Sequence, residues 1–255
     1  MAIPNPPLRI LVTGAGTGFG RGASIKLAEL GHHVIGGCLS AEQATELGAA
    51  HDAIEAIKLD ITDPDDLTAA RSLDVDVLLN NAGRGQLGPI TDVPMELVRQ
   101  VFEVNVFGTM QITQAVAPQM KEKGAGRMII VSSIAGRFSG PLTGPYAMTK
   151  HALEAMTQSL RAEMEPYGID VCKLNPGPYA TGFNDAMVDG VDTQLAEHDG
   201  GQNELELAAG TRTRMLGNQL DPVEIEDAMV SLCIDPEVPF ETYKPDNILE
   251  RYGLG

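Results

Sequence analysis

The sequence predicts an α/β fold: a doubly wound parallel sheet with helices on both faces, in one domain spanning all 255 residues. Three observations predict it. Short apolar runs alternate with helical patterns along most of the chain, which implies βαβ crossovers and a sheet covered on both sides. A glycine-rich turn separates the first apolar run from the first helical pattern. No Pro/Ser-rich linker and no internal repeat divides the chain.

Composition narrows the class. Apolar residues make up 43% of the chain, enough for a sizeable core. A net charge of −17 argues against nucleic acid and against an anionic membrane surface, since phosphates would be repelled. Cys38, Cys172 and Cys233 lie far apart in no zinc spacing, so no metal site is expected. A sparse, odd cysteine set suits a reducing, cytoplasmic setting. Residues 1–7 show no charged-then-apolar leader pattern, and no apolar run approaches a membrane span.

In chain order, Leu8 to Thr13 reads as a buried strand. Gly14, Gly16, Gly18 and Gly20 follow, with a helical pattern from Gly22 to Leu30. Strand, glycine turn and helix place backbone N–H groups and a helix N-terminus against a phosphate. His33 to Cys38 is the second strand, whose end selects a nicotinamide cofactor. An acid there would bind the ribose hydroxyls of NAD, and an arginine the extra phosphate of NADP. Cys38, Leu39 and Ser40 supply neither, and Thr17 is uncharged, so the absence of a cation favours NAD. Arg21 is the nearby base that could reverse this.

Ala41 to Ala50 reads as a short helix and Ile54 to Leu59 as the third strand. Asp60 then either meets an adenine amine or caps the helix opening at Thr62-Asp63-Pro64. Leu73 to Leu79 is strand four, stopped by Asn80-Asn81-Ala82-Gly83, which can brace a strand end or wall a nucleotide pocket. Thr91 to Lys123 is a long helical region with Asn105 inside it. An amide mid-helix competes for backbone hydrogen bonds, so Asn105 predicts a kink or a water site. Arg127 to Ser132 is strand five, Pro145 to Tyr167 a helix, and Ile169 to Leu174 strand six. Residues 179–217 lose periodicity and read as an irregular lid, within a substrate segment at about 178–220. Asp221 to Cys233 is the last helix, and the tail after Pro236 adds a short edge strand.

The chemistry concentrates between Ser133 and Lys150. Tyr146 and Lys150 stand four apart, on one helix face, and Ser133 ends strand five. A phenol is too weak an acid to act as a base at neutral pH, but a neighbouring ammonium favours the phenolate. Tyr146 is therefore a candidate general acid/base.

In this order and spacing, the glycine turn Thr13 to Gly20, Asp60, Asn80-Asn81-Ala82-Gly83, Asn105, Ser133, Tyr146, Lys150, Pro176-Gly177 and Thr181 resemble the short-chain dehydrogenase/reductase family, in its single-domain branch. Thirteen positions separate the serine from the tyrosine. The segment around Cys38 is similar to retinol, hydroxysteroid and 3-hydroxybutyrate dehydrogenases, many of which use NAD. The resemblance implies a Rossmann-type fold and a catalytic tetrad. Tyr146 exchanges the alcohol proton, Lys150 lowers the phenol pKa and holds the nicotinamide ribose, Ser133 orients the substrate oxygen, and Asn105 holds a relay water.

The resemblance also implies cofactor contacts from Gly14, Thr17, Gly18, Phe19, Gly20, Cys38, Leu39, Asp60, Ile61, Asn81, Ala82, Gly83, Tyr146, Lys150, Pro176, Gly177 and Thr181. Arg84, Leu142, Tyr179, Phe183 and Met187, placed after strand ends, would line a pocket for a moderately apolar secondary alcohol or ketone, or would simply pack. Arg137 could meet an acidic substrate or lie in solvent. Many relatives are dimers or tetramers through the helices bearing Asn105 and Tyr146. The expected activity is an NAD-dependent secondary-alcohol dehydrogenase. The alternatives are an NADPH-preferring carbonyl reductase and a non-catalytic NAD(H)-sensing protein.

Overall fold

The central strands form because their residues are apolar on both sides. In β1 (Arg9–Thr13), Ile10 and Val12 face one layer while Leu11 faces the other, and all three are fully buried. Each such side chain contributes roughly 1.5–3 kcal/mol on burial. A computed structural model describes residues 7–197 and 201–254. The leader reading above falls almost wholly on residues 1–6, outside them.

The remaining strands are β2 (His33–Cys38), β3 (Ile54–Lys58), β4 (Val77–Asn80), β5 (Gly126–Val131), β6 (Ile169–Pro176) and β7 (Glu241–Lys244). They form one parallel sheet in the order β3-β2-β1-β4-β5-β6-β7. The helices are α1 (Gly18–Glu29), α2 (Ala41–Gly48), α3 (Pro64–Ala70), α4 (Met95–Phe102), α5 (Thr109–Lys123), α6 (Gly144–Met164), α7 (Phe183–Glu197), α8 (Gln202–Leu216), α9 (Val223–Ile234) and α10 (Ile248–Arg251). One core layer joins α1 and α9 to the sheet through Ala23, Leu27, Ile225 and Met229. The opposite layer joins α5 and the end of α6 through Ile112, Val116, Met120 and Met164. The expected doubly wound α/β sheet is the fold.

Four local expectations change and one is met. Strand four is shorter than Leu73 to Leu79, because residues 71–73 close turns on the end of α3 and Asp76 already bonds back to Arg9. Strand six runs on to Pro176, since its last four residues pair with β7. The region 179–217 is not irregular. It holds α7 and α8, whose Met187, Val188, Val191 and Ala208 close a third cluster over Leu87 and Leu142, against Tyr146. The long helix around Asn105 is interrupted by a π-helical turn, Glu103–Gly108, between α4 and α5, which is the kink that the asparagine predicts. Asp63, not Asp60, caps α3, accepting from Asp65 N at 2.8 Å and Asp66 N at 3.3 Å. Among the described residues, no helix is long and apolar enough to cross a membrane.

Candidate active site

A cavity of about 890 Å³ opens at the carboxyl ends of the strands, between the glycine turn and the α7–α8 cap. Open α/β sheets bind ligands at this edge, where the loops leave the parallel strands.

The turn after β1 is shaped by two glycines with left-handed backbones, Gly14 at φ 65 and Gly18 at φ 51. Thr17 heads α1 without a side-chain cap, so the first N–H groups of α1 remain available to a ligand anion. Asn81 braces this turn: its Nδ2 donates to Thr13 O at 3.0 Å and Gly14 O at 3.2 Å. Thr13 Oγ1 in turn accepts from Asn81 N and Ala82 N, both at 3.0 Å. These residues fit a dinucleotide, whose pyrophosphate the turn would hold.

Of the cofactor residues expected from the sequence, Gly14, Thr17, Gly18, Phe19, Leu39, Asp60, Ile61, Asn81, Ala82, Gly83, Pro176, Gly177 and Thr181 line the cavity. Gly20 and Cys38 do not. Gly20 is a packing glycine, since a Cβ there would lie 2.4 Å from Gly14 O. Cys38 is fully buried, its Sγ turned to Gly36 O at 3.6 Å. Asp60 lines the cavity while its Oδ1 accepts from Thr62 N at 2.9 Å and Thr62 Oγ1 at 2.7 Å. Arg21 is exposed and outside the lining.

Ser133, Tyr146 and Lys150 share one wall. The Ser133 hydroxyl acts on the phenol beside it, while its Oγ donates to Pro176 O at 3.4 Å. Lys150 Nζ lies 5.6 Å from the centre of the Tyr146 ring and donates to Val131 O at 2.9 Å. Burial pushes the phenol's pKa well above 10, and the Ser133 bond only partly opposes it. The lowering expected from Lys150 is outweighed by burial, with the lysine Nζ turned to Val131 O. Burial instead lowers Lys150 itself from 10.5 to about 8, against the pull of Glu154 one turn along α6.

Asn105 is placed beside the wall, not on it. Its Oδ1 accepts from Arg84 N at 2.7 Å, and its Nδ2 donates to Arg84 O at 2.9 Å and Thr149 Oγ1 at 3.0 Å. It ties the loop after β4 to α6. The backbone of Ser133 is tied to a buried network: Asn175 Nδ2 donates to Ser133 O at 3.1 Å and Glu154 Oε1 at 2.6 Å. Glu154 pairs with the fully buried Lys173, which also pairs with Glu241 at 2.8 Å.

Among the substrate candidates, Arg84, Tyr179, Phe183 and Met187 line the cavity. Phe183 stacks 5.9 Å from Tyr146. Leu142 does not line it; at φ 64 its side chain turns into the core under the cap. Tyr179 is held by its hydroxyl, which donates to Glu224 Oε2 at 2.8 Å, so it packs more than it recognises. Arg137 turns away, donating to Tyr243 Oη at 3.0 Å. Sequence reasoning missed Gln43, Phe138, Arg214 and Tyr252, which also line the cavity. Gln43 had a faint signal, four residues past Leu39 at the start of a helix; its Oε1 accepts from Leu39 N at 3.1 Å. The other three reach the site only through tertiary folding.

The short chain dehydrogenase family profile matches residues 9–192. The chain belongs to the short-chain dehydrogenase/reductase family. It is 42% identical over 182 residues to the uncharacterized oxidoreductase YusZ of Bacillus subtilis, covering 67% of this chain and 65% of that protein. It is 34% identical over 184 residues to the NADPH-dependent 3-dehydrocapnine reductase of Ornithobacterium rhinotracheale, covering 67% of this chain and 65% of that protein. A short-chain dehydrogenase structure from Streptomyces avermitilis superposes with a TM-score of 0.83 at 30% identity, covering 98% of this chain and 92% of that one. One from Burkholderia cenocepacia J2315 in complex with NADP superposes with a TM-score of 0.76 at 26% identity, covering 97% and 92%. The chain thus spans a little under two thirds of the length of the Bacillus and Ornithobacterium relatives, and the family to which it belongs is one of dehydrogenases and reductases.

Proposed function

We propose that this short-chain dehydrogenase/reductase interconverts a secondary alcohol and a ketone with NAD(H). The observation that carries the reading is the half-buried Tyr146 phenol, beside Ser133 and one helical turn from Lys150, on the wall of the cavity that begins at the glycine turn.

The glycine turn and the start of α1 would hold the pyrophosphate, Asp60 and Ile61 the adenine side, and Asn81, Gly83, Lys150 and Thr181 the nicotinamide side. The bound nicotinamide supplies or accepts the hydride. In ketone reduction, burial keeps Tyr146 protonated, so it donates its proton to the carbonyl oxygen. Ser133 donates a second hydrogen bond to that oxygen and orients it. In alcohol oxidation Tyr146 accepts the proton, and the Lys150 cation beside it stabilises the phenolate. Asn105 supports the site by holding the Arg84 backbone against α6. Residues 178–220 form the substrate cap.

NAD is supported by the uncharged residues, Leu39 and Gln43, lining the cavity past β2, with Arg21 outside it. NADPH is the second reading, favoured by the NADP carried by the Burkholderia structure and by the NADPH-dependent relative. A homo-oligomer, dimer or tetramer, is supported by the exposed Phe107, Met110 and Met148 on the helices around Asn105 and Tyr146. Three free, buried thiols suit a reducing cytoplasm.

The test is Tyr146→Phe. NADH binding by calorimetry should stay within about threefold of wild type, while turnover of any ketone substrate falls at least ~1,000-fold, beyond a typical single acid/base contribution, because a buried acid has no substitute. Turnover that survives the substitution removes Tyr146 from the mechanism. Higher kcat/KM with NADPH than NADH overturns the cofactor assignment.

A further inference from the structure

We propose that the substrate carries an anionic oxygen group, a carboxylate or its equivalent, gripped by Arg214 of α8 with Arg84 reinforcing the field; this rests on the alcohol/ketone reading above. The chain as a whole repels anions, with 35 acidic against 18 basic residues. The cavity wall reverses that balance. It presents Arg84, Lys150 and Arg214, and among the described residues Asp60 is the single carboxylate lining it. Asp60 stands at the β3 end and accepts from Thr62 N and Oγ1, and it meets none of the three cations.

Both arginines are exposed where they line the cavity. Among the described residues neither Arg84 nor Arg214 forms an ion pair. Arg214 is also positioned for substrate rather than for the dinucleotide. It projects from the cap across the loop that leads from Ser133 to Tyr146, where a Cβ on Gly140 would lie 2.8 Å from its Nη1. Its neighbours there are aromatic: Phe138 stacks 5.0 Å from Tyr252, and the Arg214 charge is felt at the Tyr252 hydroxyl. A guanidinium offers a fixed fork that binds a carboxylate through two parallel hydrogen bonds. The partly buried rings of Phe138 and Tyr252 offer apolar surface for a spacer between the anion and the reacting carbon. A local cationic wall in an anionic protein also focuses the field that draws an anion in.

The experiment uses matched ketones that differ only in charge: para-acetylbenzoate against para-acetylbenzamide, and levulinate against levulinamide. Each is assayed with NADH and with NADPH by cofactor absorbance. In the wild-type protein the acid should exceed its amide at least about tenfold in kcat/KM for one or both pairs, and Arg214→Gln should cut that ratio about tenfold, as loss of a charge-assisted contact does. Arg214→Lys, which keeps the charge but not the fork, should retain part of the ratio. An amide used as well as its acid, or a ratio untouched by Arg214→Gln, overturns the proposal. If no ketone turns over with either cofactor, the hydride-transfer reading fails. Calorimetry on the cofactor-bound protein then decides the anion site by itself: tighter binding of para-acetylbenzoate than of its amide, lost in Arg214→Gln, upholds it, and equal binding overturns it.

Discussion

Lys150→Met should make the protein more stable and inactive at once. Burial lowers the lysine's pKa from 10.5 to about 8. That drop corresponds to about 3 kcal/mol by which the folded state disfavours the ammonium, at 1.36 kcal/mol per pKa unit. Methionine fills similar volume without the charge. Against the gain stands the hydrogen bond to Val131 O, whose loss costs about 1–2 kcal/mol. The net is a stabilisation of about 1–2 kcal/mol, which for a chain of this length raises Tm by roughly 2–6 °C. The pH dependence has a definite sign. With the folded pKa below the unfolded one, the folded state binds fewer protons between about 8 and 10.5. The penalty is complete below about pH 8 and fades as pH rises toward 10.5, so wild-type stability recovers in that window. The gap in Tm between Lys150→Met and wild type should therefore be widest near neutrality and close toward pH 10, as read by scanning fluorimetry in matched buffers. Taking the difference cancels the other titrating groups. A variant less stable than wild type at neutral pH, or a gap that ignores pH, refutes the reasoning. Turnover should fall at least ~100-fold in the same variant, since the phenolate loses its neighbouring cation.

Two further outcomes follow from the geometry. Lys173→Met leaves Glu154 buried without its counter-ion behind Ser133 and should cost about 3–5 kcal/mol in urea unfolding; a loss below about 1 kcal/mol would show that Asn175 alone satisfies the carboxylate. Gly20→Ala forces a Cβ to within 2.4 Å of Gly14 O and 2.5 Å of Asn81 Nδ2, which distorts the phosphate turn. We expect a loss of about 1–3 kcal/mol in stability together with weakened NADH binding by calorimetry, and unchanged binding would show that the turn absorbs the methyl elsewhere.

How far the sequence could be read depends on how local each signal is. The strands β1, β2, β4 and β5 are legible because both their faces are buried, which leaves apolar runs such as Met128 to Val131. Asn105 announces a π-helical turn because an amide inside a helix needs a partner other than its own backbone. The cap helices α7 and α8 were not legible. Their buried residues, such as Val188 and Ala208, meet a small third cluster, while Leu205 and Leu207 stay exposed, so no regular apolar stripe marks them. Leu142 was misplaced because a left-handed residue outside glycine turns its side chain where sequence order does not suggest.

The sequence by itself determined the alternating α/β plan, the glycine-rich turn and the Ser133, Tyr146 and Lys150 spacing, because each is set by neighbours within a few residues. Only the tertiary structure decided which charges meet. Arg137 and Arg214 look alike as letters, yet one turns to Tyr243 on the edge strand and the other reaches the cavity wall. Burial, which no single stretch of chain encodes, holds the phenol protonated and lowers the lysine beside it.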